Sequence, residues 1–221
     1  MGQLMEEVQK SYDQVADEYT SHYFQELEHK PLDRALLDLL TERVDGLGLV
    51  ADLGCGPGHV ARYLHEGGVS VLGIDLSPRM VELASKLNPG ITFEQGNMAA
   101  LFVEDEAWAG IVAFYSMIHF PRSQVVPVLR EFHRVLRPNG LLLLSFHAGQ
   151  EVRHVEEWWG KPVSLEGVFF EREEMESYLR EADFAIEVSM QRAPYVEVEV
   201  QTQRVYLLAR KLPPAEIETH P

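Results

Sequence analysis

Hydrophobic residues in the first 45 positions recur with helical spacing: Leu4, Val8, Tyr12, Val15 and Tyr19, then Leu32, Leu36, Leu39 and Leu40 after Pro31. From residue 49 the rhythm becomes strand, glycine turn, helix, repeated. Leu49-Val50-Ala51 reads as a buried strand running into VADLGCGPG, and Val60 to Leu64 as the start of a helix. The pattern then predicts a strand over 69–74, a helix over 78–86 with proline in its first turn, and strands over 91–94 and 110–115. An amphipathic helix over 125–136, stopped by Pro138-Asn139-Gly140, leads to Leu141–Phe146, apolar enough to be buried on both faces of a parallel sheet. Alternating strands and helices of these lengths predict a doubly wound α/β fold.

After Ala148 the period is lost. Residues 149–171, with Trp158, Trp159, Phe169 and Phe170, read as an irregular cap over the sheet's C-terminal edge. A helix over 173–182 precedes two strands, 184–191 and 202–210, expected to pair antiparallel. The expected organisation is one domain over 1–212: a helical lid (1–45), a ligand-binding core (46–148), the cap (149–171) and a last helix and strands (172–212), followed by a disordered tail (213–221).

Composition narrows the partners. The 221 residues carry a net charge of −16, which disfavours phosphate backbones and hence nucleic acid. No run approaches the ~20 apolar residues of a membrane span. The opening MGQLMEEVQK has neither a basic nor an apolar signal region, and Cys55 is the lone cysteine, so a reducing cytoplasm is the expected home.

The glycines after the first strand suit a backbone that a ligand approaches closely, and the helix that follows presents its N-terminus to negative charge. The dinucleotide pattern G-x-G-x-x-G would need glycine at 59, where His59 stands, and no Gly-Lys-Ser/Thr phosphate loop follows. Asp75, closing the second strand in GIDLS, suits a carboxylate that grips both hydroxyls of a ribose. One ribose and no phosphates is the ligand that fits.

VADLGCGPG, GIDLS, EQGNM (94–98), GIVAFYSMIHF and LRPNGLLLLSF, in this order, resemble the motifs of class I S-adenosylmethionine-dependent methyltransferases. The likeness is strong over 45–150, and the paired final strands match that family's Rossmann-like, seven-stranded, mostly parallel sheet with an antiparallel last strand. It implies S-adenosyl-L-methionine as cofactor. Gly54, Gly56 and the Cys55 backbone would lie under its methionine part, with Asp52 near the ammonium. Asp75 would hold the ribose, Leu76 flank the adenine, and Asn97 and Met98 contact the adenine edge. Tyr115 and Ser116 would line the methionine end. The family usually has Asp at position 97; Asn keeps a carbonyl acceptor. SYDQVADEY resembles a helix that closes over the cofactor, with Tyr12 or Tyr19 reaching its carboxylate.

His119 and His147 follow the fourth and fifth strands, where an acceptor would meet the cofactor, and are the candidate general bases. His147, Glu151, His154 and Glu157 would share a face if helical, but a plain acidic helix explains them equally and no metal is assigned. The expected activity is methyl transfer to an O, N, S or C nucleophile of a small molecule, by a monomer or homodimer. A catalytically silent cofactor-binding regulator and an NAD-dependent oxidoreductase are the alternatives.

Overall fold

The computed structural model describes residues 2–213. The expected disordered tail therefore lies, but for its first residue, outside the described residues. Helix α1 (Gly2–Tyr23) and a short 3-10 turn (Glu26–His29) lead to α2 (Pro31–Val44). Next come β1 (Val50–Leu53), α3 (His59–Glu66), β2 (Val71–Asp75), α4 (Pro78–Leu87), β3 (Thr92–Gln95) and β4 (Trp108–Phe114). After a second 3-10 turn (Met117–His119) follow α5 (Arg122–Val135), β5 (Leu136–His147), β6 (Val152–Trp158), β7 (Lys161–Val168), α6 (Arg172–Glu181), β8 (Phe184–Arg192) and β9 (Arg204–Lys211).

Seven strands form one sheet in the order β3-β2-β1-β4-β5-β9-β8, in which β9 alone runs against the other six. The alternation of side chains along a strand sorts the core. Leu142, Leu144 and Phe146 of β5 face α5 and α6, whereas Leu141 and Leu143 face α2 and α3. Burial on both faces is why this segment carries no polar alternation. Strand order reverses between β1 and β4, and in a doubly wound sheet the crevice above that point is the ligand site.

Three expectations change. Pro138-Asn139-Gly140 does not stop α5, which ends at Val135. The three residues bulge out of β5, Asn139 taking φ +63°, while pairing with β4 slips between Trp108 and Gly110. Residues 149–171 are not irregular: β6 and β7 form a separate antiparallel hairpin, so Glu151, His154 and Glu157 share no helical face. Of the two helices expected to form a lid, only α1 borders the cavity. It packs against β7 and α4, while α2 is buried on the sheet's opposite face. Among the described residues, no helix is long and apolar enough to cross a membrane.

Candidate functional site

The loop after β1 carries three glycines with positive φ: Gly54 (+73°), Gly56 (+51°) and Gly58 (+81°). Their reasons differ. A Cβ on Gly54 would overlap Ser116, and one on Gly58 would overlap the Phe93 ring, so these two make room for the protein's own side chains. Gly56 is free of such overlap. Its Cβ would meet only the edge of Tyr19, 3.6 Å away, and Gly56 lines the cavity that opens here.

Asp75, at the end of β2, uses one oxygen to accept from Gly56 N–H (2.8 Å) and the other to accept from Ser77 N–H (2.8 Å). Each oxygen keeps a lone pair for a further donor, which is the requirement for holding a vicinal diol. Burial pushes its carboxyl up to about 6, against the pull of the Ser77 and Gly56 amides. Ser77 also caps α4, accepting from Met80 N–H, and its hydroxyl donates to Asp13 of α1 at 2.5 Å. The edge of the carboxylate pocket is thus tied to the lid.

The cavity that Gly56 and Asp75 border is about 680 Å³, the open solvent at its mouth included. Beside Asp75 it is lined by Ile74, Leu76, Met80 and Met98, an apolar slot for a flat base. Asn97 borders that slot, its side-chain carbonyl already accepting from Ala99 N–H at 2.9 Å, with a second lone pair left over. On the other side, Tyr115 stands in the left-handed region (φ +53°), an uncommon conformation for a bulky residue, next to Ser116. Ser116 Oγ donates to the Leu53 carbonyl (2.8 Å), locking the end of β1 to the segment after β4.

The roof is aromatic. Tyr12 and Tyr19 of α1 meet edge-on at 5.8 Å, and Trp158 at the tip of β6 packs edge-on against both, at 6.2 and 5.8 Å. Trp158 stacks on Trp159 (4.5 Å), which in turn stacks on His22 (4.6 Å). Lys161 pins the hairpin to α1 through Glu18 (2.6 Å) and the Gln14 carbonyl (2.8 Å). Both tryptophans are therefore lid-to-hairpin packing, which an aperiodic stretch of sequence could not reveal.

Of the residues singled out from sequence, Tyr12, Tyr19, Gly54, Gly56, Asp75, Leu76, Asn97, Met98, Tyr115, Ser116 and His119 line this one cavity. Three do not. Asp52, expected beside an ammonium, is buried and accepts from Ala61 N–H (3.0 Å), anchoring the first turn of α3; burial raises its carboxyl to about 7. Cys55 is buried, and its N–H donates to the Ile74 carbonyl (3.1 Å), so its backbone donor serves the sheet. His147, expected on the acceptor side, stacks on Phe169 (5.0 Å) and holds Thr202 Oγ1 at 2.8 Å. Arg204 donates to its Nδ1, and burial together with Arg204, Arg153 and Lys30 holds the imidazole down to about 3. It is a neutral packing residue.

Behind Tyr115 lies a buried ion network that sequence reading missed. Arg192 donates to both oxygens of Glu199 (2.7 and 2.9 Å) and to Asp33 (3.2 Å), while Lys30 pairs with Glu26 (2.7 Å) and approaches Glu199 (3.6 Å). Tyr206 donates to Asp33 at 2.8 Å and meets the Tyr115 hydroxyl at 3.2 Å. Its members come from five separate stretches of chain, so no local spacing announces it. Among the described residues, no cluster of His, Cys, Asp or Glu could hold a metal ion.

Comparison with known proteins gives a consistent result. Residues 50–140 match the methyltransferase domain family. Malonyl-[acyl-carrier protein] O-methyltransferase of Enterobacter lignolyticus is 26% identical over 62% of this chain and 54% of its own. In the first curated relatives the match spans 54 to 61% of their length. Magnesium protoporphyrin IX methyltransferase (ChlM) from Synechocystis PCC 6803, solved with bound SAM, superposes with a TM-score of 0.71 at 19% identity, covering 94% of this chain and 97% of its own. The DhpI–SAH complex superposes with a TM-score of 0.73 at 19% identity, covering 96% and 98%. Residues 50–140 thus match the methyltransferase domain family, and the described chain has the fold of the S-adenosylmethionine-dependent methyltransferases.

Proposed function

We propose that this protein transfers the methyl group of S-adenosylmethionine to a small-molecule nucleophile. The observation that carries the reading is Asp75. Its carboxylate is fixed by the backbone amides of Gly56 and Ser77, with a lone pair free on each oxygen, at the edge of the cavity.

The residues present fit the cofactor. Asp75 would hold the ribose hydroxyls, and Leu76, Met98 and Asn97 would border the adenine. Gly56 would leave its bare backbone face to the methionine part, with Tyr115 and Ser116 at that end. Asp52 and Cys55 would support this cradle from beneath by seating α3 and the loop. When bound, the cofactor supplies an activated methyl on a sulfonium. The chain's own task is then to align a nucleophile at roughly 3 Å and keep water out, and positioning of this kind lowers a barrier by several kcal/mol. Tyr12 and Tyr19, backed by Trp158, supply an aromatic roof.

Calorimetry is the first test. S-adenosylhomocysteine should bind and NAD should not, and mixing the protein with S-adenosylmethionine and a panel of small acceptors should release S-adenosylhomocysteine. Binding of NAD instead would overturn the reading.

A further inference from the structure

His119 closes the 3-10 turn after β4, and its Nδ1 lies 3.0 Å from the backbone carbonyl oxygen of Glu166 in β7. A carbonyl only accepts, so Nδ1 carries the proton and Nε2 presents a lone pair. Nε2 lies 2.8 Å from the Tyr12 hydroxyl, which therefore donates to it. The chain reads carbonyl, N–H, imidazole, lone pair, phenol. Its members come from α1, the turn and β7, so it depends on α1 and the hairpin packing together here.

Tyr12 is held by its neighbours rather than by solvent: His119 edge-on at 5.4 Å, Tyr19 and Trp158. Its oxygen keeps unused lone pairs, and both Tyr12 and His119 line the cavity. Burial pushes the Tyr12 phenol up and holds the His119 imidazole down to about 4, so the pair is neutral at ordinary pH. Around them the lining is Met5, Val8, Met98 and Phe120, and neither Lys nor Arg lines the cavity. An acceptor bearing a carboxylate or phosphate would be buried there without a counter-charge from the protein. The carboxylate of a malonyl group, named for the acceptor of the curated relatives, would meet the same obstacle.

We propose that this end of the cavity binds an uncharged phenol, and that Tyr12 and His119 form the relay that removes its proton. The proposal rests on the methyltransferase reading. A neutral amine or a thiolate needs no base before attack, and an aliphatic alcohol is too weak an acid for an imidazole; a phenol lies between them. The acceptor oxygen forms the new bond to the methyl carbon while the carbon–sulfur bond breaks with both electrons going to sulfur. The phenol proton passes to the Tyr12 oxygen, and the Tyr12 proton passes to His119 Nε2. The sulfonium charge disappears as the imidazolium charge appears, so the charge of the cavity is unchanged.

The test uses the full chain saturated with S-adenosylhomocysteine, with p-cresol and p-toluate as probes. Nitrogen NMR should report His119 in the Nδ1-protonated tautomer, with an Nε2 resonance that moves in Tyr12→Phe. The neutral p-cresol should bind saturably and its carboxylate analogue should not. With S-adenosylmethionine, Tyr12→Phe and His119→Gln should each slow methylation of p-cresol by ~100-fold, the usual worth of a positioned base. Both variants should lose far less with p-toluidine, a neutral amine that needs no base before attack, than with p-cresol. Tighter binding of p-toluate, no binding of p-cresol, or unchanged p-cresol turnover in the variants would overturn the proposal. Equal loss with both nucleophiles would also overturn it. Failure of S-adenosylhomocysteine to bind at the outset would instead sink the methyltransferase reading itself.

Discussion

Gly54 and Ser116 touch: a Cβ on the glycine would overlap that of the serine, whose hydroxyl is bonded to the adjoining Leu53 carbonyl at 2.8 Å. The first glycine of the loop is therefore required by the sheet, and Gly56 by the cavity. Gly54→Ala combines a strained left-handed φ with overpacking and should cost about 2–4 kcal/mol of stability. Gly56→Ala meets only ordinary contact with Tyr19 and should cost about 1 kcal/mol, while weakening S-adenosylhomocysteine binding more than its stability loss explains. Thermal melts and calorimetry on both variants check this, and equal melting losses would contradict it.

Asp75→Asn replaces one acceptor oxygen by an NH₂ that must face the N–H of either Gly56 or Ser77. Loss of charge-assisted bonds to the ribose should weaken S-adenosylhomocysteine binding by about 2–3 kcal/mol with the fold retained. An unchanged dissociation constant would mean that the ribose is not held here.

His147 should matter for stability and not for binding. Its folded value of about 3 lies below the roughly 6.5 of an unfolded chain. The stability it contributes as a neutral group is complete above roughly pH 6.5 and is lost progressively as pH falls toward 3. His147→Gln lacks this dependence, so the stability gap between parent and variant should shrink as pH is lowered from 7 to 5. Denaturant unfolding at the two pH values measures it. A constant gap, or a variant that no longer binds S-adenosylhomocysteine, would count against a packing role.

Glu199, with its side chain 1% exposed, balances Arg192 and sits beside Lys30 and Arg204. Glu199→Gln leaves buried cations without their partner and should destabilise by about 3–5 kcal/mol. A Glu199→Met/Arg192→Met double variant should recover much of the loss. The pairing holds the Glu199 carboxyl down to about 2, so its stabilisation is present above ~4.3 and fades as pH falls toward 2. If the double variant is no more stable than the single one, the coupling between the two residues is absent.

The sequence by itself determined the doubly wound sheet and the glycine loop, singled out Asp75, and carried the resemblance to methyltransferases. These are local matters: a strand buried on both faces must be apolar throughout, as Leu141–Phe146 is, and a loop under a ligand needs its glycines within a few residues of one strand end. Only the tertiary structure decided which candidates share the cavity. Asp52 and Asp75 both stand at strand ends, yet the first accepts from Ala61 in α3 and the second from Gly56 beside the cavity. His119 and His147 read alike along the chain, yet one meets Tyr12, 107 positions away, and the other meets Arg204, 57 positions away. The hairpin of β6 and β7 was invisible because its tryptophans bury against α1 rather than against the sheet, so its pattern answers to a partner some 140 residues distant. Contacts of that range leave no period in the sequence, and they are the ones that set the tautomer of His119 and the neutrality of His147.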